Sequence, residues 1–172
     1  MVAVYLSPDG AFAEKLAARE EKARLREEKK VQAELDARRE ELDKELQHYL
    51  NLRESADAAE QDEINAKIAS VEDAIEQNDY RAANIRAGYV YVISNRGAFG
   101  PNIVKIGLTR RLEPMDRVRE LGSASVPFPY DVHALFFSDD AVSLEKDLHT
   151  TFADKRVNHI NLRREFFFAT PS

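Results

Sequence analysis

Two residues in the C-terminal half of the chain have the type and spacing of a metal-binding pair. Glu145 and His149 are four positions apart in a segment whose apolar residues recur at helical intervals, so both side chains are expected on one face of a helix. A single carboxylate with waters suits Mg²⁺, whereas a carboxylate with an imidazole suits Mn²⁺ or Zn²⁺. The chain contains no cysteine, which excludes thiolate metal sites, disulfides and cysteine nucleophiles.

Arginines that could bind phosphate precede this pair. Arg117 and Arg119 lie two positions apart on a short predicted helix, so they point in different directions and only one of them faces a given site. A guanidinium can bind two phosphate oxygens at once, which an ammonium cannot. Arg110 and Arg111 lie in the loop leading to this helix, where they either contact a phosphate backbone or remain solvated.

The elements that must position these residues lie after Gly88. Runs of β-forming residues separated by turn residues predict a β-hairpin, a third strand and a closing apolar strand, with two helices between them. The strands are expected at 89–93, 103–106, 130–137 and 165–168. The helices are expected at 113–121 and after Ser138, which is the predicted N-cap of the second one. This order predicts a small α/β domain at 87–172, with a short antiparallel sheet flanked by helices.

Residues 1–86 have a different composition. No Gly or Pro occurs between positions 11 and 87, and Glu, Lys, Arg, Ala and Leu favour helix throughout. Residues 1–86 carry 14 Lys and Arg against 21 Asp and Glu, a net −7, whereas 87–172 carry 11 against 10, a net +1. We therefore expect a charged helical arm, and the acidic pI of about 5.3 does not exclude nucleic acid as a partner of the other half.

The arm has a candidate coiled-coil seam at Ile64, Ile68, Val71 and Ile75, which follow a 4-3-4 spacing. Before it, residues 51–62 have one large apolar residue, Leu52. Either the seam shifts register there and pairs with a second copy, or the chain turns into a helical hairpin. We expect a homodimer through the arm, with the hairpin as the alternative.

Several motifs in the second half bring a known family into view. They are GYVYVIS at 88–94, VKIG at 104–107, Arg117-Val118, Leu144-Glu145 followed by Leu148-His149, and Glu165-Phe166-Phe167. In this order they resemble the GIY-YIG nuclease superfamily. The KIG form of the second motif is similar to a branch found in phage, prophage and bacterial proteins, often behind a helical domain.

The resemblance implies roles for individual residues. Tyr91 would be the general base toward water; because a phenol has a pKa near 10, it needs a nearby cation, and Lys105 is the candidate. A metal-bound hydroxide acting alone is the alternative. Arg117 would stabilise the charge of the phosphodiester transition state, and Glu145 would hold the divalent cation.

Further roles follow from the same resemblance. His149 would contact a phosphate or the leaving group, the alternatives being a second metal ligand or a structural histidine. Asn158, with Asn161 as the alternative, is expected to tie the C-terminal segment to the site. Asn158 is grouped with Arg110 and Arg111 as a DNA-contacting residue. Glu165 would orient a basic residue of the site or form a structural salt bridge.

Together these features predict a metal-dependent endonuclease that hydrolyses DNA phosphodiester bonds. Mg²⁺ is the expected cofactor, with Mn²⁺ as the alternative, and phage or anti-phage biology is the expected context. The competing hypothesis is a catalytically weak DNA-binding module on a coiled-coil adaptor. No apolar run exceeds six residues, against roughly 20 for a membrane helix, so we expect a cytoplasmic protein.

Overall fold

A computed structural model of the protein describes residues 8–122, 126–160 and 164–170. Two long helices come first and are followed by a small domain. The helices are α1 (Pro8–Ser55), α2 (Ala58–Ala83), α3 (Arg96–Phe99), α4 (Pro114–Leu121) and α5 (Ala141–Thr151), with a 3-10 turn at Ala153–Lys155. The strands are β1 (Gly88–Ser94), β2 (Ile103–Thr109), β3 (Asp131–Ser138) and β4 (Phe166–Phe168).

The chain reverses direction between α1 and α2 without Gly or Pro. The Asp57 carboxylate accepts hydrogen bonds from the backbone N–H groups of Ala59 (3.0 Å) and Glu60 (2.9 Å). The Glu60 carboxylate in turn accepts from the Asp57 N–H (3.4 Å). This reciprocal capping box starts α2 abruptly, so that α2 runs back along α1.

The two helices of the arm pack against each other within one chain. Their buried apolar residues are Val31, Leu35 and Leu42 on α1 and Ile68 and Val71 on α2. The buried Asn78 side chain donates to the Leu35 carbonyl (3.2 Å). Of the two alternatives for the arm, the structure therefore has the helical hairpin. The seam residues Ile68 and Val71 are already covered within the chain, and the homodimer stays a prediction.

The small domain is built on a four-stranded antiparallel sheet. Its strand order is β3-β1-β2-β4, which confirms the predicted α/β architecture with a preceding helical arm. Strand β4 pairs with Ile103–Lys105 of β2, and its Phe167 also forms an isolated bridge with Arg156. Next along this edge of β2, the Ile106 N–H donates to the Glu165 carbonyl (3.1 Å), and the Ile106 carbonyl accepts from His149 of α5 (2.9 Å).

Helices cover both faces of the sheet. On one face, Val90, Ile106 and Phe167 form a buried cluster with Ala141, the first residue of α5. On the other face, Tyr91 and Ile93 pack with Val118 of α4. Fully burying one aliphatic side chain contributes about 1.5–3 kcal/mol, so these two layers hold α4 and α5 firmly in place. The sheet thereby fixes the positions of the site residues on both helices.

One predicted helix cap was wrong. Ser138 was expected to cap α5, but the N-cap is Asp140, whose carboxylate accepts from the Ser143 N–H (3.0 Å). The Ser138 hydroxyl accepts instead from the Asp140 N–H (3.2 Å). Among the described residues, no helix combines the length and the apolar character needed to cross a bilayer.

Candidate active site

Tyr91 lies on the face of the sheet that α4 covers. It stands directly opposite Gly107 in the β1–β2 pair. A Cβ atom on Gly107 would collide with the Tyr91 hydroxyl and with the end of its ring. The glycine of the KIG motif therefore provides the space in which the phenol lies, and Tyr91 is only 2% exposed.

The surroundings of the Tyr91 hydroxyl favour the neutral phenol. Burial is the largest cause and raises the pKa of Tyr91 above its usual value, and the negative charges of Glu165 and Glu145 act in the same direction. Arg117 opposes them, chiefly through its positive charge. A general base would need a lowered pKa. The pKa of Tyr91 is raised instead, which is the opposite of what the resemblance to GIY-YIG nucleases implies.

Lys105 has a carboxylate partner of its own. Tyr91 and Lys105 lie on the same face of the sheet, because Ile93 is opposite Lys105 and Tyr91 is two positions from Ile93. The Lys105 Nζ atom is 2.7 Å from Glu165 Oε2, and both side chains are largely buried. It also lies 5.4 Å from the centroid of the Phe166 ring. The positive charge that acts on the Tyr91 phenol is therefore that of Arg117, whereas Lys105 forms an ion pair with Glu165.

The side chains of Glu145, His149 and Glu165 lie close together beside Ile106 at the edge of β2. Each offers a ligand atom that lies within 4.8 Å of the others, and all three side chains are partly buried. His149 Nε2 is 2.9 Å from the Ile106 carbonyl oxygen. Because a carbonyl only accepts hydrogen bonds, Nε2 carries the proton and Nδ1 keeps its lone pair.

The Glu145 carboxyl titrates near neutrality. Burial, and after it the neighbouring charge of Glu165, raise the pKa of Glu145 to about 7 against the opposing charge of Lys105. Two carboxylates in a half-buried site carry more negative charge than the single ammonium can balance. A divalent cation would relieve this repulsion.

The donor set fits a divalent cation. Carboxylate oxygens from Glu145 and Glu165 suit Mg²⁺ or Mn²⁺, and the imidazole nitrogen of His149 adds affinity for Mn²⁺. The hydrogen bond from His149 to the Ile106 carbonyl is the kind of contact that orients a metal-binding histidine. Sequence reasoning placed the metal on Glu145 alone and gave Glu165 an orienting role, which its contact with Lys105 also supports.

The arginines of the site meet the helical arm. The Arg117 Nη1 atom is 3.9 Å from a carboxylate oxygen of Glu27 on α1 and 3.9 Å from one of Glu120 on α4. Arg111 is 4% exposed and forms short ion pairs with the same two glutamates. Glu27 was not anticipated, because nothing in its local sequence distinguishes it from the other glutamates of α1.

The remaining predicted DNA-contacting residues are engaged within the chain. Arg110 donates from Nη2 to the carbonyls of Arg81 (3.3 Å) and Asn84 (3.4 Å) at the end of α2. Asn158 accepts a hydrogen bond from the Ile160 N–H (3.0 Å) in the loop after the 3-10 turn. Asn161 lies outside the described residues.

The structure brings the predicted site residues together in two groups. One contains Tyr91 and Arg117, and the other contains Lys105, Glu145, His149 and Glu165. The structure places Arg110 and Arg111 at the junction with the arm, and their DNA contacts stay predictions.

Two carboxylates, an imidazole and a lysine lie together, and an arginine acts on the buried Tyr91 phenol; such groups suit metal-assisted chemistry on phosphates. Residues 88–171 match the family model of the T5orf172 domain, a phage-associated domain of the GIY-YIG/HNH-like endonuclease type. The match indicates a nuclease or DNA-binding role for this part of the chain. No curated protein and no solved structure was found to match.

Proposed function

We propose that the small domain is a GIY-YIG-type endonuclease that hydrolyses DNA phosphodiester bonds with a divalent cation. The observation that carries this proposal is the convergence of Glu145, His149 and Glu165 beside Lys105 and the Tyr91–Arg117 pair. Glu145 is the central ligand, with Mg²⁺ or Mn²⁺ as the cation. The phage association of the matched domain supports a role in phage or anti-phage biology, acting on DNA in the cytoplasm.

A bound divalent cation would neutralise phosphate charge and lower the pKa of a coordinated water. The chain's own residues supply the rest. Arg117 and Lys105 provide positive charge for the nonbridging oxygens, whose negative charge grows in the transition state. The His149 Nδ1 lone pair can accept a proton or bind the cation. Tyr91 is held neutral by burial and lies within the electrostatic influence of Arg117.

Incubation of the full chain with supercoiled plasmid and Mg²⁺ or Mn²⁺ tests this proposal. Nicking or linearisation is expected with the unmodified protein and should be lost in Glu145→Gln or in excess EDTA. Asp147→Asn is the matched control, because Asp147 is exposed on the same helix and its change should leave cleavage intact. Undiminished cleavage by Glu145→Gln would contradict the proposed metal site.

A DNA-binding module without strong catalysis is the second candidate. It is favoured by the raised pKa of Tyr91, which argues against a phenolate base. In that case duplex DNA binds with and without metal, and the plasmid stays supercoiled at every metal concentration. Gel electrophoresis and a binding isotherm on the same preparation separate the two candidates.

A further inference from the structure

The arginine cluster, defined here as Arg111 and Arg117, lies beneath α1. Arg111 makes four short bonds with two carboxylates. Its Nε and Nη2 atoms are 2.7 and 2.8 Å from the oxygens of Glu27. Its Nη1 and Nη2 atoms are 2.7 and 2.8 Å from the oxygens of Glu120. Arg117 approaches the same two carboxylates at 3.9 Å.

The geometry of these contacts matches that of phosphate recognition. A guanidinium fork binds carboxylates and phosphates in the same planar, two-point manner. Arg117 is one-third exposed and makes no close ion pair with either glutamate, so its guanidinium is accessible to a second anion. An incoming phosphate would compete mainly with Glu27, since Glu120 belongs to α4 and stays with Arg117 on the same helix.

Other contacts hold α1 at this place. The Glu34 carboxylate accepts a hydrogen bond from the Leu112 backbone N–H (3.3 Å), and Lys30 lies 3.5 Å from Glu120. The acidic half of the molecule thus covers the loop that carries Arg110 and Arg111. Because arginines in a domain of net charge near zero are the groups able to attract DNA, their coverage by glutamates lowers that attraction.

We propose that Arg111 and Arg117 form a phosphate-binding surface for DNA and that Glu27 of α1 is its intramolecular occupant. DNA binding and docking of the arm at Glu27 then compete for the same guanidinium groups. The inference rests on the proposed DNA-directed function and adds a regulatory role for the arm: whatever lifts α1 from the arginine cluster strengthens DNA binding.

Equilibrium binding of a short DNA duplex, with EDTA present to prevent cleavage, tests the competition. Glu27→Gln keeps the size of the side chain and removes its charge. It should bind DNA about five- to tenfold more tightly at low salt, and the logarithm of affinity should fall more steeply with the logarithm of salt by about one unit, as expected for one added phosphate contact. The control is Glu41→Gln, which makes the same charge change on α1 beside the exposed Arg38.

A second measurement keeps Glu27 in place. The chain has no cysteine, so Lys22→Cys and Lys146→Cys, both at exposed positions on α1 and α5, allow two spin labels to be attached specifically. Saturating DNA should lengthen or broaden the distance distribution between them. An unchanged distribution with DNA bound would overturn displacement of the arm.

The outcomes separate this inference from the proposed function. If Glu27→Gln binds DNA as Glu41→Gln does, the arginine cluster is not masked by the arm, while the DNA-directed function stands. If no variant binds DNA at any salt concentration, both are overturned. A thermal melt of each variant shows whether a change in binding reflects local charge or loss of folding.

Discussion

Tyr91 fits into its position because Gly107, its neighbour across the β1–β2 pair, has no Cβ atom. Gly107 faces the phenol across the β1–β2 pair, and any side chain there would occupy the place of the hydroxyl. Moving the ring would displace the hydroxyl from the charge of Arg117 and loosen the packing of the ring against Val118. The glycine of the second motif is therefore part of the site, although it has no functional group of its own.

Gly107→Ala should accordingly damage both folding and cleavage. We expect a loss of about 1–3 kcal/mol in the free energy of unfolding, which is typical of overpacking, together with reduced cleavage because the phenol moves away from Arg117. Urea denaturation and a plasmid assay measure the two effects. Gly10→Ala is the control, since nothing lies within 4 Å of a Cβ added there, and helix propensity should make it neutral or stabilising. Equal behaviour of the two variants would contradict the steric argument.

Glu145 is expected to lower the stability of the metal-free protein at alkaline pH. Its folded-state pKa of about 7 exceeds the ordinary value of 4.5, so between these values the folded protein binds more protons than the unfolded chain. Stability therefore falls as pH rises through this window. Glu145→Gln removes the charge and should stabilise the protein on the order of 1–2 kcal/mol at pH 8, after allowance for solvent screening, and little at pH 4.

Thermal unfolding in EDTA at both pH values measures this difference. Asp147→Asn, exposed on the same helix, should show no such pH-dependent gain. If Glu145→Gln is as stable as the unmodified protein at pH 8, the carboxylate is better solvated than its surroundings indicate. Glu145→Gln is also expected to lose cleavage, so this substitution should raise stability at pH 8 while it removes activity.

Part of this site could be read from the sequence. Glu145 and His149 are neighbours by helical spacing alone, and their side chains do converge. Glu165 joins them only because the segment before β4 returns along β2, where the Ile106 N–H donates to the Glu165 carbonyl (3.1 Å). A contact between segments so far apart in the sequence leaves no local pattern. The same is true of the ion pair between Lys105 and Glu165, which takes the place of the expected contact between Lys105 and Tyr91.

At the scale of elements, the arm shows how a helix can reverse without a helix breaker. Residues 11–87 contain no Gly or Pro, which left a continuous coiled coil and a hairpin equally compatible with the sequence. The reversal is signalled by Asp57 and Glu60, the D-x-x-E pattern of a capping box. The strands and α4 were easier to predict, because their apolar periodicity and the Pro114 start are local features.

Ile68→Asp tests whether the seam closes within one chain. Ile68 is 6% exposed in α2, so a buried carboxylate there should destabilise the hairpin by about 3 kcal/mol or more. Ser70→Asp introduces the same charge at an exposed position of α2 and should have little effect. Urea denaturation and analytical ultracentrifugation are the measurements. A dimer that becomes a stable monomer on Ile68→Asp would show instead that the seam joins two copies.

At the scale of the whole molecule, polar contacts join the arm to the domain. Arg81 of α2 donates to the carbonyls of Arg110 (3.0 Å) and Arg111 (3.1 Å), and Arg111 reaches Glu27 of α1. The segregation of charge predicted two unlike parts. It could not predict that acidic residues of one part would cover arginines of the other, because net charge averages over positions that only folding brings together.

Arg111→Met should therefore uncouple the two parts. The methionine keeps the apolar stem but removes the short ion pairs with Glu27 and Glu120, which then keep only the 3.9 Å contacts with Arg117 as a shared cation; the loss is expected to cost about 3 kcal/mol. Arg24→Met is a closely matched control, since Arg24 also pairs with two glutamates, Glu21 and Glu28, but is 61% exposed, where ion pairs contribute little to stability.

Calorimetry should show one cooperative unfolding transition for the unmodified protein and for Arg24→Met. Arg111→Met should broaden it or split it into separate transitions of the arm and the domain, because the hairpin and the sheet each keep their own buried cluster. Similar small effects of the two substitutions would mean that the Arg111 contacts do not couple the two parts. Docking of α1 would then depend on the Arg81 contacts at the end of α2.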